Sequence, residues 1–255
     1  MSMRYILALF FLYVSPVCAN SGELDGPTIL ARATNAAGGD QWANAKSLIL
    51  QGRAEYWGPE GPVPKSRSDS YVMYREFDPT RTHAHGADGK IRIIASNQGR
   101  VVWTVGFDGK TSWNEKGIIP QAEADIFWSS NMGFGIIRQA GKPGFKAERV
   151  ADGAQGPHPL YLVRLTDPSG GITLFGIDQK SYAIRTMAFM TPRGWHERHY
   201  DNFIRLKNPN WLQARTVTLL YNGIRANTVY WDSVKVNGTI APEIFRAPTN
   251  FLKAE

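Results

Sequence analysis

The sequence predicts a mainly β protein, a curled antiparallel meander that forms an incomplete β-barrel with a short helical plug or lid. Runs of alternating or β-branched residues account for most of the chain. Short strands joined by two-residue turns pair with their sequence neighbours as antiparallel strands, which argues against a parallel sheet. Dipeptides that favour such turns recur between the runs, at Asp88-Gly89, Asp108-Gly109, Asn222-Gly223 and Asn237-Gly238.

Helical signals begin close to the N-terminus. Asp25 is suited to cap a helix and Pro27 to occupy its first turn. Residues 29–37 carry an apolar stripe at helical spacing, and Gly38 follows as the expected end. One further short helical turn is expected after Asp40.

A second helical stretch is expected between Pro120 and Gly141. Gly133 and Gly135 weaken it, so that one helix and two short helices both remain open. So few helices cannot cover the outside of a large sheet. We therefore expect them to pack into its concave side or to close one mouth.

The strands follow one another with little interruption, apart from a long loop at residues 57–68 that holds three prolines and two glycines. About ten strands in one meander would curl into a barrel or half-barrel, because flat open sheets of that size are uncommon. The predicted strands cover residues 48–56, 71–76, 101–105, 160–165, 172–177, 184–189, 195–203, 217–221 and 228–236.

The N-terminal segment predicts export. Arg4 precedes an apolar run at residues 5–14, and Pro16 and small residues lead to Ala19. This pattern is typical of a secretory signal peptide cleaved after Ala19. The run of about ten residues is shorter than the roughly 20 that a membrane-spanning helix needs. We expect residues 1–19 to be removed and residues 20–255 to form one domain in the periplasm.

Two alternatives stay open for this segment, an uncleaved anchor helix and lipidation at Cys18. Residues 15–17 do not supply the leucine that a bacterial lipobox places before its cysteine. Cys18 is the only cysteine of the chain. Cleavage after Ala19 would therefore leave no thiol nucleophile, no disulfide and no cysteine metal ligand.

The composition favours an acidic or apolar partner over a nucleic acid. The formal net charge is +7 at pH 7, which suits an anionic lipid head group, a polyanionic glycan or a membrane surface as partner. An envelope protein is a further candidate partner, and a protein that is basic without such a partner is the simpler interpretation. The basic residues are scattered and form no nucleic-acid-binding run. The chain contains 8 Trp and 12% aromatic residues, which suits either an enclosed apolar ligand or an ordinary core.

Several segments together resemble a known group of proteins. They are the run Ala36-Ala37-Gly38-Gly39 followed by Trp42 and Gly52, residues 106–113 (GFDGKTSW), residues 200–203 and 221–223, and residues 245–248. In this order they resemble the LolA/LolB-like periplasmic carriers of lipids and lipoproteins. The resemblance implies a curled antiparallel sheet with a helical lid. It also implies an acyl chain or another apolar ligand carried in the concavity, without a cofactor.

Polar residues at positions 196–200 suggest a possible catalytic site. In a strand, Trp195, Glu197 and His199 would point one way, and His196, Arg198 and Tyr200 the other. The alternation separates His196 from His199, which argues against a shared metal ion. Glu197, His199 and Tyr200 are the candidate catalytic residues if the protein is an enzyme. A cross-strand charge pair is the simpler interpretation of Glu197 and His199.

Other histidines give weaker signals. His83 and His85 are two residues apart and are the candidate metal ligands, but no third ligand is identifiable and we predict no metal site. His158 lies between two prolines and is predicted in a loop. No nucleophile elbow, phosphate-binding loop or dinucleotide motif is present.

The aromatic residues are the better candidates for a binding site. The leading hypothesis is a periplasmic carrier or binding protein that encloses an apolar, lipid-like ligand. The ligand with and the ligand without an acidic group both remain open. A periplasmic enzyme on the same fold and a non-catalytic envelope interaction module are the alternatives. The predicted lining consists of Trp103, Trp113, Phe127, Trp128, Phe175, Phe189, Trp195 and Tyr230.

Overall fold

A computed structural model describes residues 23–59 and 61–248. The predicted signal peptide and its cleavage site lie outside these residues. The helices are α1 (Gly26–Ala37), α2 (Asp40–Ala43) and α3 (Gln121–Asn131), with 3₁₀ helices at Phe134–Gln139 and Pro242–Phe245. Within the described residues, no helix has the length and apolar character needed to cross a membrane.

Thirteen strands are present in the described part of the chain. They are β1 (Ser47–Tyr56), β2 (Ser66–Glu76), β3 (Lys90–Asn97), β4 (Arg100–Phe107), β5 (Ser112–Asn114), β6 (Gly117–Ile118), β7 (Lys146–Gln155), β8 (His158–Thr166), β9 (Ile172–Asp178), β10 (Ile184–Thr191), β11 (Gly194–Lys207), β12 (Asn210–Tyr221) and β13 (Ile224–Val236).

All strands belong to one antiparallel sheet, in the order β6-β5-β4-β3-β2-β1-β13-β12-β11-β10-β9-β8-β7. The pairing of β1 with β13 joins the first and last strands at the centre of the sheet. The free edges are β6 and β7, so the sheet does not close into a barrel. The chain between these edges carries α3 and the 3₁₀ helix Phe134–Gln139, which places helices at the opening. The predicted curled, incomplete barrel is thereby confirmed.

A glycine helps the central strand to bend. The register of β1 shifts at Gly52 relative to both β13 and β2, and such bulges increase local twist and curvature. A Cβ at this position would collide with the backbone carbonyl of Tyr230. Only glycine therefore permits the close approach of β1 and β13 at the bulge.

Helix α1 packs inside the curve of the sheet. The Asp25 side chain accepts a hydrogen bond from the Thr28 backbone N–H (2.8 Å), as the capping prediction expects. Gly38 ends the helix with a φ of 143°. The buried side chains of the helix, including Ile29 and Leu30, belong to the same apolar core as residues of β8 and β9. The helix thus fills one end of the concave side.

Several local predictions were wrong. Asp88 and Gly89 form no two-residue hairpin, because residues 77–89 connect β2 to β3 and Asp88 is buried in an ion pair. Asn237 follows the last strand and instead accepts a hydrogen bond from the Lys46 backbone N–H (2.8 Å). His158 begins β8 and is not in a loop. The long loop is shorter than predicted, because β2 already begins at Ser66.

Other elements were missed or left open by the sequence. Strand β7 is polar and mostly exposed at a sheet edge, so it shows no apolar alternation. Strand β3 was not predicted either. The stretch between Pro120 and Gly141 forms two short helices. Asn222-Gly223 does form the expected tight turn between β12 and β13, with φ values of 50° and 78°.

Candidate functional site: an apolar cavity beneath a helical lid

A cavity of about 370 Å³ lies between the concave face of the sheet and the helices at its opening. Alternate residues of the strands point into it, as the two-residue period of a strand requires. Examples are Leu48 and Leu50 of β1, Tyr71 and Met73 of β2, and Val217 and Leu219 of β12. Aromatic side chains form much of the wall, among them Trp42, Trp103, Trp128, Phe134, Trp211 and Trp231.

Helix α3 covers the cavity and is held by polar contacts at two points. The Trp128 Nε1–H donates to Ser112 Oγ of β5 (2.8 Å). At the C-terminal end of the helix, the backbone carbonyl of Asn131 accepts from Arg198 (2.7 Å) and that of Ser130 accepts from the Tyr221 hydroxyl (3.1 Å). These carbonyls have no partner within the helix because it ends there. Side chains of β11 and β12 therefore fix the end of the lid.

A buried histidine supports the same contacts. His196 is fully buried, and burial, reinforced by the charge of Arg198, lowers its pKa to about 2. The ring is therefore neutral, and its Nε2 can accept the hydrogen bond from Arg198 Nε–H (3.1 Å). Its Nδ1 lies 3.4 Å from the Tyr221 hydroxyl. His196 thus orients both residues that hold the lid.

The same ring extends a stack of three side chains. His196 stacks on Phe189 at a centroid distance of 4.6 Å, and Phe189 stacks on His85 at 4.1 Å. Burial lowers the pKa of His85 to about 4. Both histidines are consequently neutral at pH 7 and act as packing and hydrogen-bonding groups.

Every formally charged residue that lines the cavity is an arginine. Within the described chain, no Asp, Glu or Lys side chain contributes to its wall. Arg75 lies 2.6 Å from the carboxylate of Asp88, and Arg81, outside the cavity, lies 3.2 Å from the same oxygen. The other arginines of the wall are Arg138, Arg193 and Arg198.

Arg138 lies in an aromatic cluster on the 3₁₀ helix Phe134–Gln139. Its guanidinium carbon is 3.9 Å from the centroid of the Phe77 ring, 4.8 Å from Trp42 and 5.3 Å from Trp211. Burial, with the charge of Arg75 acting in the same direction, lowers its pKa to about 9. The side chain remains charged at pH 7.

The predicted lining residues fall into three groups. Trp103, Phe127 and Trp128 line the cavity. Phe175 and Phe189 are buried in the core and do not border it.

The remaining predicted lining residues lie away from the cavity. Trp113 is buried elsewhere, where its Nε1–H donates to the backbone carbonyl of Phe245 (3.1 Å). Trp195 pairs across the sheet with Met190, which is 67% exposed. Tyr230 lies beneath Arg53 and donates to Glu55 (3.1 Å).

The structure does not bring the three candidate catalytic residues together. Glu197 Oε1 and His199 Nε2 are 2.6 Å apart on the convex face. The hydrogen bond from His199 lowers the pKa of Glu197. Tyr200 lies on the opposite face, is buried and lines the cavity. Burial raises the pKa of its hydroxyl to about 12, so it is a poor base at neutral pH.

The candidate metal ligands are also separated. His83 is exposed, whereas His85 turns inward onto Phe189 and lies 3.1 Å from Thr173 Oγ1. In residues 23–59 and 61–248, no group of three His, Cys, Asp or Glu side chains is placed to hold a metal ion.

Sequence reasoning missed the residues that give the cavity its charge and hold its lid: Arg138, Arg198, His196 and Tyr221. Alternation put Arg198 on the same face as Tyr200, but the sequence did not show that this face is concave. Arg138 carried no such signal, since a 3₁₀ helix has no strong apolar period in so short a segment.

No family model matches the sequence, and no curated protein matches it by sequence. Solved structures share the architecture. A LolA superfamily protein from Nitrosomonas europaea has 11% identity and a TM-score of 0.51, with 88% of this chain and 98% of that one covered. A putative outer membrane lipoprotein-sorting protein domain from Vibrio parahaemolyticus has 11% identity and a TM-score of 0.53, with coverage of 89% and 98%.

A DUF1329 family protein from Desulfovibrio piger is similar to the same extent. It has 8% identity and a TM-score of 0.53, and the match covers 86% of this chain and 95% of that one. Likeness at such low identity concerns the fold and not the ligand. The curled sheet, the lid at its opening and these three structures agree that the chain has a LolA-like fold.

Proposed function

We propose that the protein is a periplasmic carrier or binding protein that encloses an apolar, lipid-like ligand between its sheet and its lid. The observation that carries this proposal is the cavity of about 370 Å³ with its aromatic and aliphatic wall. Ligand cavities commonly measure roughly 300–1,000 Å³ and are mostly apolar with a few polar groups. The cavity is thus large enough for one small amphiphile.

Burial of an alkyl chain supplies the binding energy in this proposal. Each methylene removed from water contributes about 0.8 kcal/mol, so an eight-carbon tail would contribute about 6 kcal/mol before the costs of association. The rigid aromatic wall lowers the cost of ordering side chains, since Trp and Phe have few rotatable bonds. No cofactor is needed for this function.

The names of two structural neighbours support the same class of function. One is called a LolA superfamily protein and the other a putative outer membrane lipoprotein-sorting protein domain. Export fits this proposal, with cleavage of the signal peptide after Ala19 and one domain over residues 20–255.

A pair of tryptophan variants tests the carrier function. The bound molecules are first identified by native mass spectrometry of lipids that co-purify with the protein. Trp128→Ala should then weaken binding of a fluorescent fatty acid by about 1–3 kcal/mol, as truncation of a central aromatic residue does. Trp195→Ala is the matched control, because Trp195 lies outside the cavity, and it should change affinity little.

Two further variants separate the carrier from an enzyme. Glu197→Ala and His199→Ala should leave binding nearly unchanged, because both residues lie on the convex face. Thermal melting shows whether each variant is folded. A protein that holds no apolar molecule and takes up no fatty-acid probe would refute the carrier function. Such a result would favour an envelope interaction module.

A further inference from the structure

We propose that Arg138 binds the anionic head group of the ligand, so that the cavity selects amphiphiles that carry a carboxylate or a phosphate. This inference rests on the proposed carrier function and adds the orientation of the ligand within the cavity. The head group would bind in the aromatic cluster of Phe77, Trp42 and Trp211. The alkyl chain would extend along the apolar wall.

The charge of the wall is the first argument. Arg75, Arg138, Arg193 and Arg198 border the cavity, whereas no acidic side chain of the described residues does. An enclosed space with charges of one sign and low-dielectric walls attracts a ligand of the opposite sign.

Three of these arginines have other partners or lie at the surface. Arg75 is paired with Asp88. Arg198 donates to His196 and to the carbonyl of Asn131, so it is engaged in holding the lid. Arg193 is exposed and lies over the Tyr221 ring at 4.4 Å. Each of the three therefore has a structural explanation that does not require a ligand.

Arg138 is half-buried and forms no ion pair within the described residues. Its Nε–H is buried and has no hydrogen-bond partner among the described residues. The Nε–H of Arg75 also has none, but Arg75 is paired with Asp88 through its Nη2. The acidic group that acts on Arg138 is Asp88, whose carboxylate is already shared by Arg75 and Arg81. Asp78 acts on Arg81 as well, so Arg75, Arg81 and Arg138 face two carboxylates and the cluster keeps an excess of one positive charge. A largely desolvated charge without a paired acid is costly, and an entering anion would offset that cost.

The chemistry of the guanidinium suits carboxylates and phosphates. Its planar, forked donors match the oxygens of either group and form two parallel hydrogen bonds. The aromatic rings around Arg138 hold the fork in place through cation–π contacts. A bound oxyanion would also raise the pKa of Arg138 from about 9.

The test compares ligands that differ only in their head group. Delipidated protein is titrated by calorimetry with dodecanoate, dodecyl phosphate, dodecan-1-ol and dodecyltrimethylammonium. We expect the acids to bind about ten- to a hundredfold more tightly than the alcohol, as hydrogen bonds to a charged group imply. The quaternary ammonium should bind more weakly than the alcohol. The two acids distinguish a carboxylate ligand from a phosphate ligand.

Variants then assign the selectivity to one residue. Arg138→Met should remove the preference for the acids and leave the affinity for dodecan-1-ol within about threefold. Arg138→Lys should retain part of the preference, because it keeps the charge and loses the fork. Arg53→Met is the matched control, since Arg53 also lies over an aromatic ring, that of Tyr230 at 4.5 Å, but outside the cavity.

The outcomes separate this inference from the carrier function. If the wild-type protein binds the acid and the alcohol equally well, the anion site is refuted and the carrier function stands. If Arg138→Met keeps the preference, the site is not Arg138. If no amphiphile binds, both proposals fail. The comparison of dodecanoate with the quaternary ammonium needs only the wild-type protein, so the inference remains testable if Arg138→Met does not fold.

Discussion

Replacement of Asp88 by Asn should destabilise the protein strongly, because it leaves two buried arginines without their counter-ion. Asp88, Arg81 and Arg75 are 3%, 4% and 8% exposed. The Asp88 carboxylate lies 2.6 Å from Arg75 and 3.2 Å from Arg81. Removal of one partner from a buried ion pair typically costs about 3–5 kcal/mol. We expect a loss in that range for Asp88→Asn in equilibrium urea unfolding at pH 7.

An exposed aspartate provides the matched control. Asp232 also lies near two arginines, at 3.4 Å from Arg53 and 3.7 Å from Arg215, but its side chain is 56% exposed. Solvent-exposed pairs contribute about 0–1 kcal/mol. Asp232→Asn should therefore change the free energy of unfolding little. Equal losses in the two variants would refute the reasoning from burial.

The pH dependence supplies a second check on Asp88. Burial alone would raise its pKa, but Arg75 and Arg81 outweigh burial and lower the pKa below the ordinary 3.8. A lowered pKa in the folded state stabilises the protein above the unfolded value, and that stability is lost as the pH falls through the folded value. The difference in unfolding free energy between wild type and Asp88→Asn should be constant near neutral pH and should shrink below about pH 4. A difference that instead narrows between pH 7 and pH 5 would contradict the assignment.

Two remaining predictions concern the lid and the N-terminus. Tyr221→Phe removes the hydroxyl that donates to the Ser130 carbonyl (3.1 Å). Hydrogen exchange at the C-terminal end of α3 should therefore accelerate, and the free energy of unfolding should fall by about 1 kcal/mol. Unchanged exchange there would show that this bond does not hold the lid. Protein recovered from the cell envelope should begin at Asn20, as N-terminal mass spectrometry would show, whereas an intact N-terminus or an acylated Cys18 would contradict cleavage after Ala19.

Sequence signals predicted local structure correctly where neighbouring residues alone determine it. The cap at Asp25, the stop at Gly38 and the turn at Asn222-Gly223 depend on residues that are adjacent in the chain. The prediction of a hairpin at Asp88-Gly89 was wrong because Asp88 forms tertiary ion pairs there. Asp88 is fixed by Arg75 and Arg81, and no pattern of neighbouring residues reveals that pairing.

The candidate site was predicted only in part, for a related reason. Whether an aromatic residue lines a cavity depends on which face of its strand is concave, and a shift of one residue exchanges the two faces. Trp103 and Trp128 lie on the cavity side, whereas Trp195 and Tyr230 lie outside it. The aromatic content of the sequence predicted a binding site but did not identify which aromatic residues line it.

The arginines show why charge composition is a poor guide to a buried site. The net charge of +7 suggested an acidic partner at the surface, where salt would screen the attraction. The structure instead places four arginines around an interior cavity, three of them engaged by an acid, by the lid or by solvent. Only the fourth, Arg138, has a buried Nε–H with neither a paired acid nor a hydrogen bond among the described residues. An anion drawn to that point would be held by an interaction that salt weakens far less than it weakens a surface contact. Binding that survives high ionic strength is therefore what an interior head-group site, and not a basic surface, would produce.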